Sequence, residues 1–239
     1  MAVLVYTENW DGSFKKLSFE LVSYGANLAN MLGKPLVVLS IGNVASAELE
    51  KLGNYGARRI LSLADPALQV FDSQAYTEAI AQVATREKAE VVVLSNNNLG
   101  KAVAPRLSVK LKAGLGAGIS KLPLSTSPFV VYKRAFSGNA FAHVEIKTPV
   151  RILTLAQNSF GLVENPGTPS IETISVSIDS ALVKTSVSEV QKQTGKLLLT
   201  DAEIVVSGGR GMKSPDNWGP LVELADLLGG ATACSRPVS

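Results

Sequence analysis

The sequence predicts an α/β protein with a mostly parallel, doubly wound sheet that is covered by helices on both faces. Short apolar runs, such as 90–95, alternate along the chain with longer stretches whose apolar residues recur at helical spacing, such as 17–32. The short runs are apolar at nearly every position, as strands are when both of their faces are buried. Strands of this kind, separated by helices, form parallel sheets with right-handed crossovers.

The first half of the chain supplies four strands and four helices in alternation. The predicted strands are 2–6, 35–41, 59–63 and 90–95, and the predicted helices are 17–32, 45–55, 73–87 and 100–112. Gly56 directly follows the second helix, where a glycine commonly ends one. The glycine-rich segment 114–118 follows a helix rather than a strand, so we expect it to be a flexible connection.

The pattern changes after Pro123, where three short β runs follow one another. They cover 129–134, 140–147 and 150–156, with a turn at 137–139, and we expect a β meander that extends or flanks the sheet. A further run, 171–178, has the composition of an exposed edge strand. The polar segment 191–195 is the best linker candidate, so we expect an N-terminal α/β domain over 1–191 and the start of a second domain over 192–239.

The composition excludes several function classes. The chain has 239 residues, 46% of them hydrophobic, and a net charge of only +3 without runs of like charge, which does not favour nucleic acid or an anionic membrane. One cysteine and one histidine leave too few ligands for a structural zinc or iron–sulfur site, and a single cysteine fits a reducing compartment. We expect neither a transmembrane helix nor a leader peptide, unless one has been removed.

The most informative motif lies near the end of the chain. The apolar run 204–206 continues into Ser207-Gly208-Gly209-Arg210-Gly211, and a helical stretch follows over 219–228. A strand, a glycine-rich turn and a helix in this order present backbone N–H groups to a phosphate. Arg210 adds a permanent cation at the turn. The alternative, a tight turn without a ligand, stays open, because short glycine patterns are common.

Ser235 and Arg236 follow the next short apolar run, beyond the turn at 229–230. In a doubly wound sheet that run ends beside the first glycine turn, and ligands bind outside the carboxyl ends of the strands. Both residues are therefore candidates to converge with Arg210 on one ligand. The alternative is that Arg236 caps the end of a surface strand.

Two other segments carry polar residues that we interpret as structural. His143 alternates with apolar neighbours in 141–147 and should face solvent on a strand, with no Ser/His/Asp or Cys/His partners. The asparagines 96–98 end a strand and open a helix. That position allows a nucleotide site, but a helix cap is favoured because asparagine satisfies free N–H groups there.

Three segments of this chain resemble the α subunits of electron transfer flavoproteins. The segment 205–218 with the helix that follows is similar to the opening of the family's flavin domain, and 234–238 matches the next family segment. Residues 137–140 with 149–154 resemble the end of its N-terminal domain, whose α/β layer resembles adenine-nucleotide-hydrolase-like folds. The resemblance covers the whole chain, and 205–238 is its most specific part.

The resemblance implies a heterodimer with a β subunit and one FAD, held mainly by a Rossmann-like C-terminal domain. Arg210, flanked by Gly209 and Gly211, looks like the family arginine near the flavin and its diphosphate, and Ser235 and Arg236 look like the pair beside the isoalloxazine ring. Family members continue with further strands and adenosine contacts that are missing here. We therefore expect an incomplete FAD domain and most FAD contacts outside these 239 residues.

The resemblance also implies an electron carrier rather than an enzyme. It would pass electrons from flavin dehydrogenases, such as the acyl-CoA dehydrogenases of fatty acid β-oxidation, to a quinone reductase, and a variant working with NADH and ferredoxin stays open. The expected location is the bacterial cytoplasm, or the mitochondrial matrix after loss of a transit peptide. Two alternatives from other classes are an adenine-nucleotide-binding module without a redox role and an NAD(P)-dependent oxidoreductase built on the turn at Ser207.

Overall fold

The computed structural model describes residues 1–179, 181, 186–189, 197–199 and 202–235. The chain divides into two compact units, 1–186 and 187–239. The boundary that the sequence predicts, between residues 191 and 192, falls outside the described residues and stays a prediction, as does the linker 191–195.

The first unit begins with strands and helices in the predicted alternation. They are β1 (Ala2–Thr7), α1 (Lys16–Leu32), β2 (Leu36–Ile41), α2 (Ser46–Glu50), β3 (Arg59–Leu63), α3 (Ser73–Arg86), β4 (Ala89–Ser95) and α4 (Asn98–Leu111). The second predicted helix is shorter than expected as an α-helix, because Lys51–Asn54 continues it in 3-10 form. The later strands are β5 (Gly114–Ile119), β6 (Ser125–Thr126), β7 (Phe129–Ala135), β8 (Ala140–Glu145), β9 (Arg151–Leu155) and β10 (Ser170–Ile174).

These strands form a single mixed sheet in the described part of the first unit. Their order is β10-β3-β2-β1-β4-β9-β5-β7-β6, with β8 paired to β7. Neighbours from β10 to β5 run parallel, and only the pairs made by β7 are antiparallel. The helices α1 and α2 pack on one face, and α3 and α4 pack on the other. The mostly parallel, doubly wound sheet is thereby confirmed, with β10 at the edge as expected.

The predicted meander after Pro123 is only partly correct. The runs at β7 and β8 do form an antiparallel hairpin, which joins the sheet through β5. The third run, β9, instead lies inside the sheet, parallel to β4 on one side and to β5 on the other. Burial explains this position, because Ile152, Leu153 and Leu155 are fully buried and would be exposed at the outer edge of a hairpin.

The prediction that 114–118 is a flexible connection is wrong, because these residues form most of β5. The glycines are needed where side chains from neighbouring strands cross the backbone. A Cβ on Gly114 would lie 2.4 Å from Ile146 Cγ2, and a Cβ on Gly116 would lie 3.0 Å from Leu153 Cδ2. Glycine here marks close packing rather than mobility.

A buried carboxylate holds the loop that follows β9. Glu20, on α1, is fully buried. Its carboxylate accepts backbone N–H groups from Asn158 (2.9 Å), Phe160 (2.8 Å) and Gly161 (3.0 Å). Three such bonds satisfy the oxygens of a carboxyl group away from water, and they fix the loop against the carboxyl edge of the sheet.

The second unit has a smaller sheet. It consists of β11 (Val205–Gly208), α5 (Gly219–Leu227) and β12 (Ala231–Cys234), with β11 and β12 parallel. The predicted order of strand, glycine turn, helix and strand is therefore what the structure contains. Within this unit α5 exposes Val222, Leu224 and Leu227.

We predict that Gly100→Ala destabilises the first unit. A Cβ at this position of α4 would lie 1.7 Å from the backbone oxygen of Ser95, so strand end and helix would have to separate. Overpacking of this kind costs about 1–3 kcal/mol, and the free energy of unfolding in urea measures it. The matched control is Lys101→Ala, at the exposed neighbouring position. Equal unfolding midpoints for both variants would contradict the prediction.

Candidate functional site

The carboxyl ends of β11 and β12 lie side by side in the second unit. The parallel register pairs Ser207 with Ala233 and Gly208 with Cys234, so the two strands end at the same edge. The backbone N–H of Ser235 donates to the oxygen of Gly208 at 3.2 Å and extends this pairing by one residue. The turn after β11 and the residues after β12 therefore share one edge, where α/β sheets bind ligands.

The turn after β11 is a short helical loop. Gly209 is extended, and Arg210–Met212 forms a 3-10 turn closed by a bond of 2.9 Å from the N–H of Met212 to the oxygen of Gly209. The N–H groups of Arg210 and Gly211 donate no hydrogen bond to any described residue, as is usual for the first residues of a helical turn. They remain available to an anion.

Two of the glycines at this edge have different roles. A Cβ on Gly208 would lie 2.8 Å from both Leu221 Cδ1 and Trp218 Cη2, so glycine at 208 lets α5 pack against the strand end. Among the described residues, a Cβ on Gly209 would meet only Ser235 Oγ, at 3.7 Å, which places Ser235 directly beside the turn. No atom of the described residues lies within 4 Å of a Cβ built on Gly211. The edge thus keeps an uncovered backbone along Gly209 and Gly211.

The structure places part of the predicted site together. Ser235 is brought to the turn at Gly209, as the sequence predicts. Arg210 is exposed beside them, and its guanidinium forms no ion pair within the described part of the chain. Arg236 lies outside the described residues, so its convergence with Arg210 stays a prediction. An uncovered glycine backbone with an unpaired cation fits an anionic diphosphate.

The corresponding edge of the first unit has the opposite character. Glu8, one residue beyond β1, is 5% exposed and lies at the point where β1 and β4 end next to each other. Its carboxylate accepts hydrogen bonds from Ser95 Oγ and from Asn97 Nδ2, the latter at 2.7 Å. Burial raises the pKa of the Glu8 carboxyl, and these two bonds oppose the increase. A carboxylate therefore fills the crevice that a nucleotide phosphate would need.

Asn97 also confirms the cap that the sequence favours for 96–98. It is the N-cap of α4, and its Oδ1 accepts the backbone N–H of Gly100 at 3.0 Å. The contact of Asn97 and Ser95 with Glu8 is not evident from the sequence. Only the positions of the residues indicate this contact in the sequence: Glu8 directly follows the first strand, and Ser95 is the polar last residue of the apolar run 90–95.

His143 lies on β8, exposed to solvent as predicted. Its ring is 5.7 Å from that of Tyr132 on β7, between centroids.

Cys234 is also exposed. Within the described residues, no group of His, Cys, Asp and Glu could hold a metal ion. In that same part of the chain, every helix is too short or too polar to span a membrane.

Comparisons with known proteins identify both units. Residues 3–179 match the family described as electron transfer flavoprotein domain. Residues 198–239 match the electron transfer flavoprotein FAD-binding domain. The second match includes the whole edge where β11 and β12 end, which we call the glycine-bordered edge because Gly208, Gly209 and Gly211 lie along it.

Individual relatives agree with these matches. The electron transfer flavoprotein subunit α of Bacillus subtilis is 31% identical over 98% of this chain and 72% of its own length. The subunit of the same name from Clostridium acetobutylicum is 28% identical over the same shares. The LctC subunit of a lactate dehydrogenase (NAD⁺, ferredoxin) from Acetobacterium woodii is 26% identical, over 98% of this chain and 57% of its own length.

Fold, site and comparisons together define a two-part protein in which an electron transfer domain is followed by FAD-binding sequence. The chain belongs to the family of electron transfer flavoprotein α subunits. Its role is that of an electron carrier.

We predict that Glu8 destabilises the folded chain at neutral pH and that acid relieves this cost. Because the pKa of Glu8 is raised by folding, protonation of its carboxyl favours the folded state as the pH falls through that pKa. Relative to Glu8→Gln, the free energy of unfolding of the unmodified chain should rise between about pH 7 and about pH 5. Urea unfolding at the two pH values measures the difference.

Glu48→Gln is the matched control, because its difference from the unmodified chain should stay nearly constant between these two pH values. A hydrogen bond from Lys51 and one from the N–H of Phe14 lower the pKa of Glu48. Its contribution to stability is therefore fully present above the ordinary pKa of 4.5 and is lost only when the pH falls below that value. A pH dependence of the same sign in both variants would show that the Glu8 interpretation is wrong.

Proposed function

We propose that this chain is the α subunit of a heterodimer that carries electrons on FAD and catalyses no reaction of its own. The observation that supports this most directly is the glycine-bordered edge of β11 and β12, which lies within the match to a FAD-binding domain. The edge combines an uncovered backbone with an unpaired arginine, which is what a flavin diphosphate requires.

Within this proposal, the residues of the edge hold FAD in separate ways. Gly209 and Gly211 leave room for the ligand at the backbone, and Arg210 donates to the diphosphate or the flavin. Ser235 and Arg236 bind beside the ring, where a fixed guanidinium stabilises negative charge. FAD itself accepts and releases the electrons, and the protein sets its position and electrostatic surroundings.

The proposed partners follow from the family. A β subunit completes the heterodimer, flavin dehydrogenases such as those of fatty acid β-oxidation supply electrons, and a quinone reductase removes them. One relative is named as an electron transfer subunit of acryloyl-CoA reductase, and another as a lactate dehydrogenase subunit. These names favour a second possibility, in which the chain works inside a dehydrogenase complex. A cytoplasmic location is proposed from the bacterial relatives and the single cysteine.

Co-expression of the chain with its β subunit tests the proposal. We expect the two chains to co-purify with FAD, and the visible flavin bands should bleach when a dehydrogenase and its reduced substrate are added and recover when an oxidant follows. Turnover of the dehydrogenase substrate by the heterodimer alone would contradict the carrier role. A colourless complex that does not take up added FAD would contradict flavin binding.

We predict that Arg210→Ala weakens FAD retention in that complex by about tenfold or more. The variant loses a charged hydrogen bond to the ligand, and such bonds contribute about 1.5–3 kcal/mol. The dissociation constant of FAD, measured by flavin fluorescence after removal of cofactor, reports the change. Arg106→Ala, an exposed arginine of α4, is the matched control. Equal FAD affinity in both variants would remove Arg210 from the site.

A further inference from the structure

The first unit contains a cavity that the electron-carrier role does not use. Its volume is about 780 Å³, which is in the range of small-molecule sites. One wall is the β7–β8 hairpin, and the other comprises the carboxyl ends of β4 and β5 together with the loop after β9. Glu20 holds that loop in place through three hydrogen bonds. Ligands of α/β sheets bind at this edge.

The charge of the lining is entirely positive. Lys121, Lys133 and Arg134 line the cavity, and no acidic residue of the described part of the chain does. None of the three forms an ion pair with a described residue. Cations gathered without counterions around a cavity favour an anionic ligand, because they otherwise repel one another.

The hairpin gives the cavity an aromatic surface. The rings of Tyr132 and Phe141 are stacked, with centroids 5.1 Å apart and planes at 21°. Lys121 Nζ lies 4.9 Å from the centroid of Tyr132. Phe141 is 60% exposed and Phe136, at the hairpin tip, is 83% exposed. Two phenyl rings in water at the mouth of a cavity can be covered by a planar ring.

The sheet edge adds an oriented hydrogen-bond donor. The N–H of Gly118 donates to Thr154 Oγ1 at 2.9 Å, and Thr154 Oγ1 donates to Asn96 Oδ1 at 2.9 Å. This chain fixes which end of the Asn96 amide is the oxygen. Its Nδ2 has no acceptor among the described residues, and Asn96 lines the cavity.

The hairpin tip has an unfavourable backbone conformation. Phe136 and Ser137 have φ angles of 47° and 52°, a region that residues with a side chain seldom adopt. Strain of this kind persists where the surrounding structure holds a residue for function. These residues turn the chain at the hairpin tip, and Arg134, two residues before Phe136, lines the cavity with them.

We propose that this cavity binds a free mononucleotide: the base stacks on Phe141 and Phe136, and Arg134 and Lys121 bind the phosphate. The Asn96 amide donates to an oxygen of the base or the sugar. The site is separate from the Glu8 crevice, where a carboxylate excludes phosphate, and from the flavin edge of the second unit. It does not depend on the electron-carrier role.

Calorimetric titration of the full chain with GMP and AMP tests the proposal, with flavin content measured in parallel. GMP is included because FAD contains adenine and no guanine, so a GMP signal does not report the flavin edge. We expect saturable binding of at least one nucleotide. Arg134→Gln should weaken it about tenfold or more, because a charged hydrogen bond to phosphate is lost. Phe141→Leu should weaken it about fivefold or more through lost stacking.

The control variants make the same types of substitution at residues that do not line the cavity. Lys147→Gln removes an exposed cation, and Phe71→Leu changes another partly exposed ring, so both should bind as the unmodified chain does. Guanosine and inorganic phosphate should each bind more weakly than GMP. Phosphate as tight as GMP, or binding unchanged in Arg134→Gln and Phe141→Leu, would overturn the proposal. The proposal would also be overturned if the chain bound no nucleotide and a protein that co-purifies with it were lost in the Phe141→Leu variant. That result would make the hairpin a protein interface.

Discussion

The chemistry of the first unit depends on one buried carboxylate. Glu8 directly follows β1, an inner strand, and its hydrogen bonds from Ser95 and Asn97 join that strand end to β4 and to the cap of α4. Burial of this carboxylate costs free energy at neutral pH, but its hydrogen bonds fix the point where the sheet changes winding direction. The same group repels phosphate from that point, so any anion must bind further along the edge, beyond β4.

The two units use similar topology for different purposes. In each, parallel strands end at a shared edge, but the first unit closes that edge with a carboxylate and the second leaves glycine backbone and Arg210 open. Exposed N–H groups at a strand end are hydrated, and a ligand can replace that water. The second unit therefore has the character of a binding surface, and the first has that of a scaffold with a secondary cavity.

Sequence periodicity predicts where the strands and helices lie along the chain better than it predicts which strands pair in the sheet. The strands and helices up to α4 agree with the sequence because each is a local pattern of burial. The position of β9 inside the sheet, and β5 as a strand, depend on partners such as Ile146 and Leu153 that are distant in sequence. The edge at Gly209 and Ser235 was predictable because a strand, turn and helix are contiguous there. The hairpin cavity was not, because its lining comes from four separate segments.

The insertion of β9 between β4 and β5 has a consequence for synthesis on the ribosome. Until Leu155 has emerged, β4 and β5 cannot occupy their final places, and each has an unpaired edge. The nascent chain thus exposes an edge of β4, whose residues 91–94 are all apolar and fully buried in the folded protein, until β9 has been made. Unpaired apolar strands recruit other chains. The yield of folded subunit should therefore depend on the speed of translation across the hairpin codons and on chaperones that bind extended apolar segments. It should depend less on the stability of the finished fold.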